Sequence, residues 1–297
     1  MTASLLAEQT LNGLQFGLLI FLVSAGLTLV LGIMNMLNLT HGAFYTLGAY
    51  VGASSYTATG SFLLAAVAAV AAVAAIALLA ERAVIRHLYS RSHLDQLLGT
   101  FGLLLFLTEL SRIVWGTGAQ MIESPPALGL TVELLPGLHY PLYRLIVMAI
   151  AVAASAGMYY VIQHTRVGMR IRACASNQTM VSAVGVDVDR VFLMVFLAGA
   201  ALAALAGIMM APLIAVDTSM GDTATVLCFV IIAIGGLGSI RGAFIAALLV
   251  GLIDTFGRAL LPMLLGYTVG PPLAAMFIYL FMALVLLVRP GGLVRAQ

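Results

Sequence analysis

The sequence predicts an all-α polytopic membrane protein of about 8–9 transmembrane or half-membrane helices, some of them discontinuous. Three observations predict it. Hydrophobic residues make up 63% of the 297 and charged residues only 8%, where a soluble domain carries about a quarter. The apolar residues gather in runs near the roughly 20-residue length that crosses a hydrocarbon core as helix. The runs are continuous, unlike the alternating segments of roughly ten residues that build a transmembrane barrel. The formal net charge is +2, and every cation is Arg. So small an excess points to no nucleic-acid partner, and the positions of the arginines matter more than their sum.

The first span reads over 11–34. Only Glu8 among the preceding residues is charged, and the span is too long for an h-region, so no cleavable signal peptide is expected. A Gly-interrupted segment follows at 36–58, then spans at 61–80, 97–115, 141–163 and 191–215. Two more interrupted segments read at 224–234 and 241–256, and a last span at 271–288. Nothing divides 1–297 into more than one domain. The run 224–234 is too short to span at about 1.5 Å per residue. It reads as a broken or re-entrant element, which a membrane tolerates where the backbone is buried in protein or lines a wet cavity.

The connections differ in charge. Residues 81–96 carry Arg82, Arg86 and Arg91; 164–190 carry Arg166, Arg170, Arg172 and Arg190; the tail carries Arg289 and Arg295. Residues 116–140 hold Glu123 and Glu133, and 216–223 hold Asp217 and Asp222, with no Arg in either. Cationic loops stay on the cytoplasmic side. The first three segments, and with them the C-terminus, are therefore expected inside, and the last two outside. If 36–58 crosses fully, the N-terminus lies outside.

The run Asn35–Tyr45, NMLNLTHGAFY, interrupts this apolar chain. A helix resuming near Asn38 places Asn38, His41, Tyr45, Gly48 and Gly52 on one face. Polar groups at such a place face the bundle interior or a water-filled path. Asn35, Asn38 and Thr40 can also cap a helix restart. His41-Gly-Ala-Phe44 has an echo in Arg241-Gly-Ala-Phe244, each opening an interrupted segment. Paired breaks of this kind mark binding regions in transporters, although chance among Gly, Ala and Phe gives the same pattern. The expected translocation path is Asn35, Asn38, His41 and Tyr45, with Gly235, Gly236, Gly238 and Ser239 from the second break.

Other features carry less chemistry. No His, Cys or carboxylate stands at ligand spacing from His41, so no metal is expected. Gly235–Gly242, GGLGSIRG, lacks the Lys of a phosphate loop and reads as a join between two half-helices. Gly13/Gly17 and Gly48/Gly52 have the spacing that lets helices approach closely. Cys174 and Cys228 suggest neither disulfide nor metal. Glu109/Arg112 and Asp254/Arg258 have ion-pair spacings on a helix, and Asp254 is the acid to test for a role in transport. In 164–190, Arg170 and Arg172 sit in a basic amphipathic stretch, with Ser176 as the expected N-cap of a second short helix up to Gly185. An interfacial flank accounts for the arginines. The length of the segment favours docking to a cytoplasmic partner.

Three stretches together, NLTHGAF, TRVGMRIRACASNQTMVSAVGVDVDR and IIAIGGLGSIRGAFIAALLVG, resemble the permeases of high-affinity branched-chain amino acid ABC importers, the LivH type. The resemblance covers nearly the whole chain in the same order. It implies a multi-pass subunit of the bacterial inner membrane that pairs with a homologous LivM-type permease, two cytoplasmic ABC ATPases and a periplasmic substrate-binding protein. ATP and Mg would be bound by those ATPases, leaving this chain without a cofactor and without enzymatic activity. The segment 164–190 resembles the family's coupling segment, here with Gly168, Arg170, Arg172, Ser176, Asn177 and Gly185. Asn38-Leu-Thr-His-Gly42 has Thr40 where the family's break usually has Ala, a departure that bears on the substrate. Relatives of this type also serve urea, amides or aromatic acids. An ion-coupled secondary transporter is the alternative from another class; it would need intramembrane acids, and the sequence offers mainly Asp254. A membrane-embedded enzyme would need a His/Asp/Glu cluster at acid–base or metal spacing.

Overall fold

The computed structural model describes residues 3–294; Arg295, grouped above with the cationic tail, lies outside them. The chain forms α1 (Ala3–Met34), α2 (His41–Thr59), α3 (Phe62–Ala80), α4 (Arg86–Leu88), α5 (His93–Trp115), α6 (Leu142–His164), α7 (Arg166–Ser176), α8 (Gln178–Ala183), α9 (Val188–Met210), α10 (Met220–Gly235), α11 (Ile240–Leu265) and α12 (Gly270–Val288). One π-turn, Glu81–Ile85, joins α3 to α4. A hairpin, β1 (Thr131–Leu135) and β2 (Leu138–Pro141), precedes α6. Among the described residues, seven helices are long and apolar enough to cross a membrane, and α10 is a shorter apolar one.

Local sequence accounts for many of the ends. Asn35 turns to φ 50°, outside the helical region, and closes α1. Gly60, at φ 66°, closes α2 with its N–H on the Tyr56 carbonyl. The side chains of Ser61, Ser92, Thr165 and Ser239 accept hydrogen bonds from first-turn N–H groups of α3, α5, α7 and α11.

Two expectations need correction. The last turn of the span expected at 191–215 is absent, because α9 stops at Met210 before a turn containing Pro212. The segment expected at 241–256 is no half-helix. It runs 26 residues as α11. The helix continues through the ion pair that the spacing predicts: Arg258 Nε donates to both Asp254 oxygens, at 2.8 and 2.9 Å. The short partner of the second break is α10 alone.

The helices pass back and forth between two ends. At one end Arg86 pairs with Asp189 at 3.3 Å, Gln178 Nε2 donates to the Ile33 carbonyl at 2.9 Å, and the N–H groups of Leu293 and Val294 bond the Ile234 and Gly235 carbonyls. At the other end Gln120 and Val216 exchange backbone hydrogen bonds, Trp115 Nε1 donates to Ser54 Oγ at 2.7 Å, and Tyr140 and Arg144 both reach Asn12 Oδ1. The loops thus segregate as their arginines predict. The arginines at the second end are each engaged locally, Arg112 with Glu109 at 2.6 Å, Arg258 with Asp254, and Arg144 with Asn12.

Helix α1 runs through the bundle against α11, α9, α10 and α6. Lipid offers no hydrophobic force between helices, so small residues and close packing hold such contacts. Gly13 faces Gly251 and Leu252, Gly17 faces Ala247 and Leu248, Gly48 faces Ala204, and Gly52 faces Ile208. Both expected small-residue pairs therefore lie in helix contacts. Leu63, Leu79, Phe106, Ile113 and Leu287 point outward and give the bundle an apolar exterior. The sequence echo falls at comparable depths inside the bundle: His41, at the restart of α2, reaches Val23 in the middle of α1, Phe244, in the second turn of α11, packs on Phe21, α1 packs on α11, and α10 packs on α2.

Candidate functional site

The two helix breaks meet. In the first, Thr100 of α5 straps the loop: its Oγ1 accepts from Leu39 N–H at 3.3 Å, and its carbonyl accepts from Thr40 Oγ1 at 2.9 Å. Asn38 Oδ1 accepts from Thr40 N–H at 3.1 Å, while its buried Nδ2 finds no partner among the described residues. His41 Nε2 donates to the Val23 carbonyl at 2.9 Å, which assigns the proton to that nitrogen. The His41 ring stands edge-on to Phe44. In the second break, Gly236 and Gly238 adopt φ 103° and 76°, conformations that disfavour a side chain. Gly32 of α1 lies directly against Gly238.

Where the breaks converge, at the arginine-rich end, a cleft of about 780 Å³ opens between α1, α6, α7 and α11. Asn35, Gly238 and Ser239 line it, together with Arg172 and Ser176 from the segment 164–190. Residues expected in two separate sites therefore share one space. Asn38, His41 and Tyr45 do not reach it. They lie inside the bundle at 0%, 2% and 6% exposure, and Gly235 and Gly236 are buried as well. The helix restarts at His41 and not near Asn38, so the single face expected to carry Asn38, His41 and Tyr45 is split between loop and helix. The cause is Thr100, which holds the loop backbone away from helical geometry through contacts some sixty residues distant.

The segment 164–190 forms two short helices. Gly168 fits against the Val161 and Ile162 carbonyls, where a Cβ would collide with backbone. Arg172 donates to the Ile162 carbonyl. Ile171 and Cys174 form the buried face of α7, and burial pushes the Cys174 thiol pKa up. Ser176 does not cap the second helix. It ends α7, and Asn177 caps α8, with Oδ1 accepting from Met180 N–H at 3.0 Å. Gly185 closes the segment at φ 85°. Met169, Met180 and Val184 are exposed, and so is Arg170, which has no described partner. The two arginines that the sequence pairs thus diverge, Arg170 outward and Arg172 into the cleft.

Two contacts went unread in the sequence. Arg241, in the first turn of α11, donates to Tyr159 Oη at 3.0 Å and lies over its ring; its place beside the break was the available signal. Tyr89 donates to buried Glu81 at 2.8 Å, and burial followed by this bond pushes its phenol pKa up. That pair anchors the π-turn, and the Tyr89 ring packs edge-on against Phe192 of α9. Among the described residues no three His, Cys, Asp or Glu side chains are placed to hold a metal.

Comparison with known proteins supplies the remaining observation. The family described as the permease component of branched-chain amino acid transport systems matches residues 9–287. The chain is 28% identical to the high-affinity branched-chain amino acid transport system permease protein LivH of Escherichia coli, over 96% of this chain and 94% of that one. It is 27% identical to LivH of Salmonella typhimurium and 26% identical to BraD of Pseudomonas aeruginosa, with the same coverage of both chains. No solved structure matches.

Proposed function

From the premise that this chain belongs to the family of branched-chain amino acid transport permeases, we propose that it is the transmembrane subunit of a bacterial ABC importer for branched-chain or other hydrophobic amino acids. The observation that carries this is the family match over 9–287, combined with relatives aligned almost end to end. The arginine-rich end is cytoplasmic by the charge rule, which puts the C-terminus on the cytoplasmic side of the inner membrane and the N-terminus on the opposite side. A homologous LivM-type permease, two ATPases and a periplasmic binding protein complete the complex. ATP and Mg belong to the ATPases, and no covalent step falls to this chain.

In this reading α7 and α8 form the docking piece. An ATPase surface that engages Met169, Arg170, Met180 and Val184 pulls on a helix pinned to α6 by Gly168 and Arg172. The same helix walls the cleft, so its displacement changes access to both breaks. Asn35, Gly238 and Ser239 open on the path in the present conformation. Asn38, His41 and Tyr45 lie one layer deeper and reach it when α2 parts from α10, across the contact of Gly42 with Gly221, whereas Gly235 and Gly236 are covered by α11 and the tail, at Gly242 and Val294.

The complex reconstituted in vesicles tests the function. ATP-dependent uptake of leucine is expected, with competition by isoleucine and valine and none by urea or benzoate. Uptake driven by a proton or sodium gradient without the ATPases would replace this reading with that of a secondary transporter. In the same vesicles, replacing Asn38 with Leu and His41 with Phe is expected to lower uptake per assembled complex severalfold, since each lost partner costs around 1 kcal/mol. Unchanged uptake per complex, with less complex recovered, would confine these residues to holding the fold.

A further inference from the structure

The cleft carries two guanidinium groups, Arg172 and Arg241, and among the described residues no carboxylate lines it. Their partners are neutral: the Ile162 carbonyl for Arg172, and the hydroxyl and ring of Tyr159 for Arg241. By contrast Arg86, Arg112, Arg190 and Arg258 each pair with an acid. Two uncompensated positive charges therefore face one space. The N-terminus of the 26-residue α11 adds partial positive charge there, and Ser176 offers a hydroxyl at the rim. Between these groups the wall is apolar, with Leu29 and Ile162. The site suits an anion attached to hydrocarbon.

Its depth agrees. Tyr159 and Tyr160, near the end of α6, are 38% and 61% exposed, and tyrosines of this kind settle at the headgroup level. We propose that the cleft binds the phosphate of an anionic phospholipid headgroup through Arg172 and Arg241. Basic pockets between transmembrane helices favour such headgroups. The bound lipid would bridge the coupling segment and the restart of α11, tying α7 to the second break. The inference does not depend on what the complex transports.

Native mass spectrometry of the delipidated complex, with phosphatidylglycerol or phosphatidylcholine added back, tests it. Wild type is expected to retain phosphatidylglycerol preferentially. The double variant Arg172→Gln/Arg241→Gln should retain about tenfold less. Ser176→Glu, which adds a carboxylate to the rim and leaves both arginines in place, should show the same loss and serves if the double variant does not assemble. Arg190→Gln, outside the cleft, should bind as wild type. Equal retention of the two lipids, or undiminished phosphatidylglycerol in the cleft variants, overturns the proposal. Displacement of the lipid by inorganic phosphate would assign the site to a small anion and overturn the lipid assignment.

Discussion

Charge reversal at Arg170 is expected to strip the ATPases from the permease while leaving the permease itself folded. Arg170 projects from α7 without a described partner, beside exposed Met169. Nothing among the described residues depends on its guanidinium, so Arg170→Glu costs the fold little. At an interface that has selected a positive charge, a negative one costs several kcal/mol. Recovery of ATPase subunits with affinity-purified permease should fall by about tenfold or more, and uptake with it. Arg190→Glu controls for bulk charge, because Arg190 lies on the same end but is already paired with Asp187 at 2.8 Å. Arg172→Glu should behave differently: it removes the bond to the Ile162 carbonyl, detaches α7 from α6, and lowers the amount of folded permease. If Arg170→Glu retains its ATPases at the wild-type level, the coupling segment is an interfacial flank and no more.

The second large effect is expected in the membrane, at Gly48. A side chain there would run into the Cα and carbonyl of Ala204 in α9. Backbone cannot step aside as a side chain can, so Gly48→Val must separate α2 from α9. Overpacking of this kind costs about 1–3 kcal/mol and sometimes more, and the loss of close approach is added to it. The variant should melt well below wild type in detergent and yield little complex. Gly52 is the informative neighbour. Its obstacle is the side chain of Ile208, so Gly52→Ala should be partly rescued by Ile208→Ala. No truncation of a neighbour should rescue Gly48→Val. Gly102→Val, at a glycine with open space around it, should be close to neutral. Equal stability of Gly48→Val and Gly102→Val would mean that α2 and α9 do not meet as described.

Much of the molecule is legible one segment at a time. A run of apolar residues long enough to cross, a cluster of arginines beside it, and a glycine four residues from another are local facts with local consequences. The spans, the sorting of loops between two ends, and the close approach at Gly13, Gly17, Gly48 and Gly52 all followed from them. The errors share a different origin. The segment at 241–256 looks interrupted at its glycines, yet it is part of one continuous 26-residue helix. Ser176 and Asn177 are both good caps, and the choice between them rests on which residue leaves helical geometry. Asn38 fits a helical face by spacing, but Thr100, in a different helix, binds the loop backbone and delays the restart to His41.

The candidate site shows the same division. Composition and charge by themselves determined that this chain crosses a membrane many times and which of its loops lie together, because the cost of burying charge in lipid acts on each segment independently. That Arg170 turns outward while Arg172 turns into a cleft was decided only by tertiary structure, through the docking of α7 on the end of α6 by Gly168. So was the meeting of the two breaks, two hundred residues apart, around one space. Such pairings depend on contacts between distant backbones and side chains, and spacing along the chain carries no record of them.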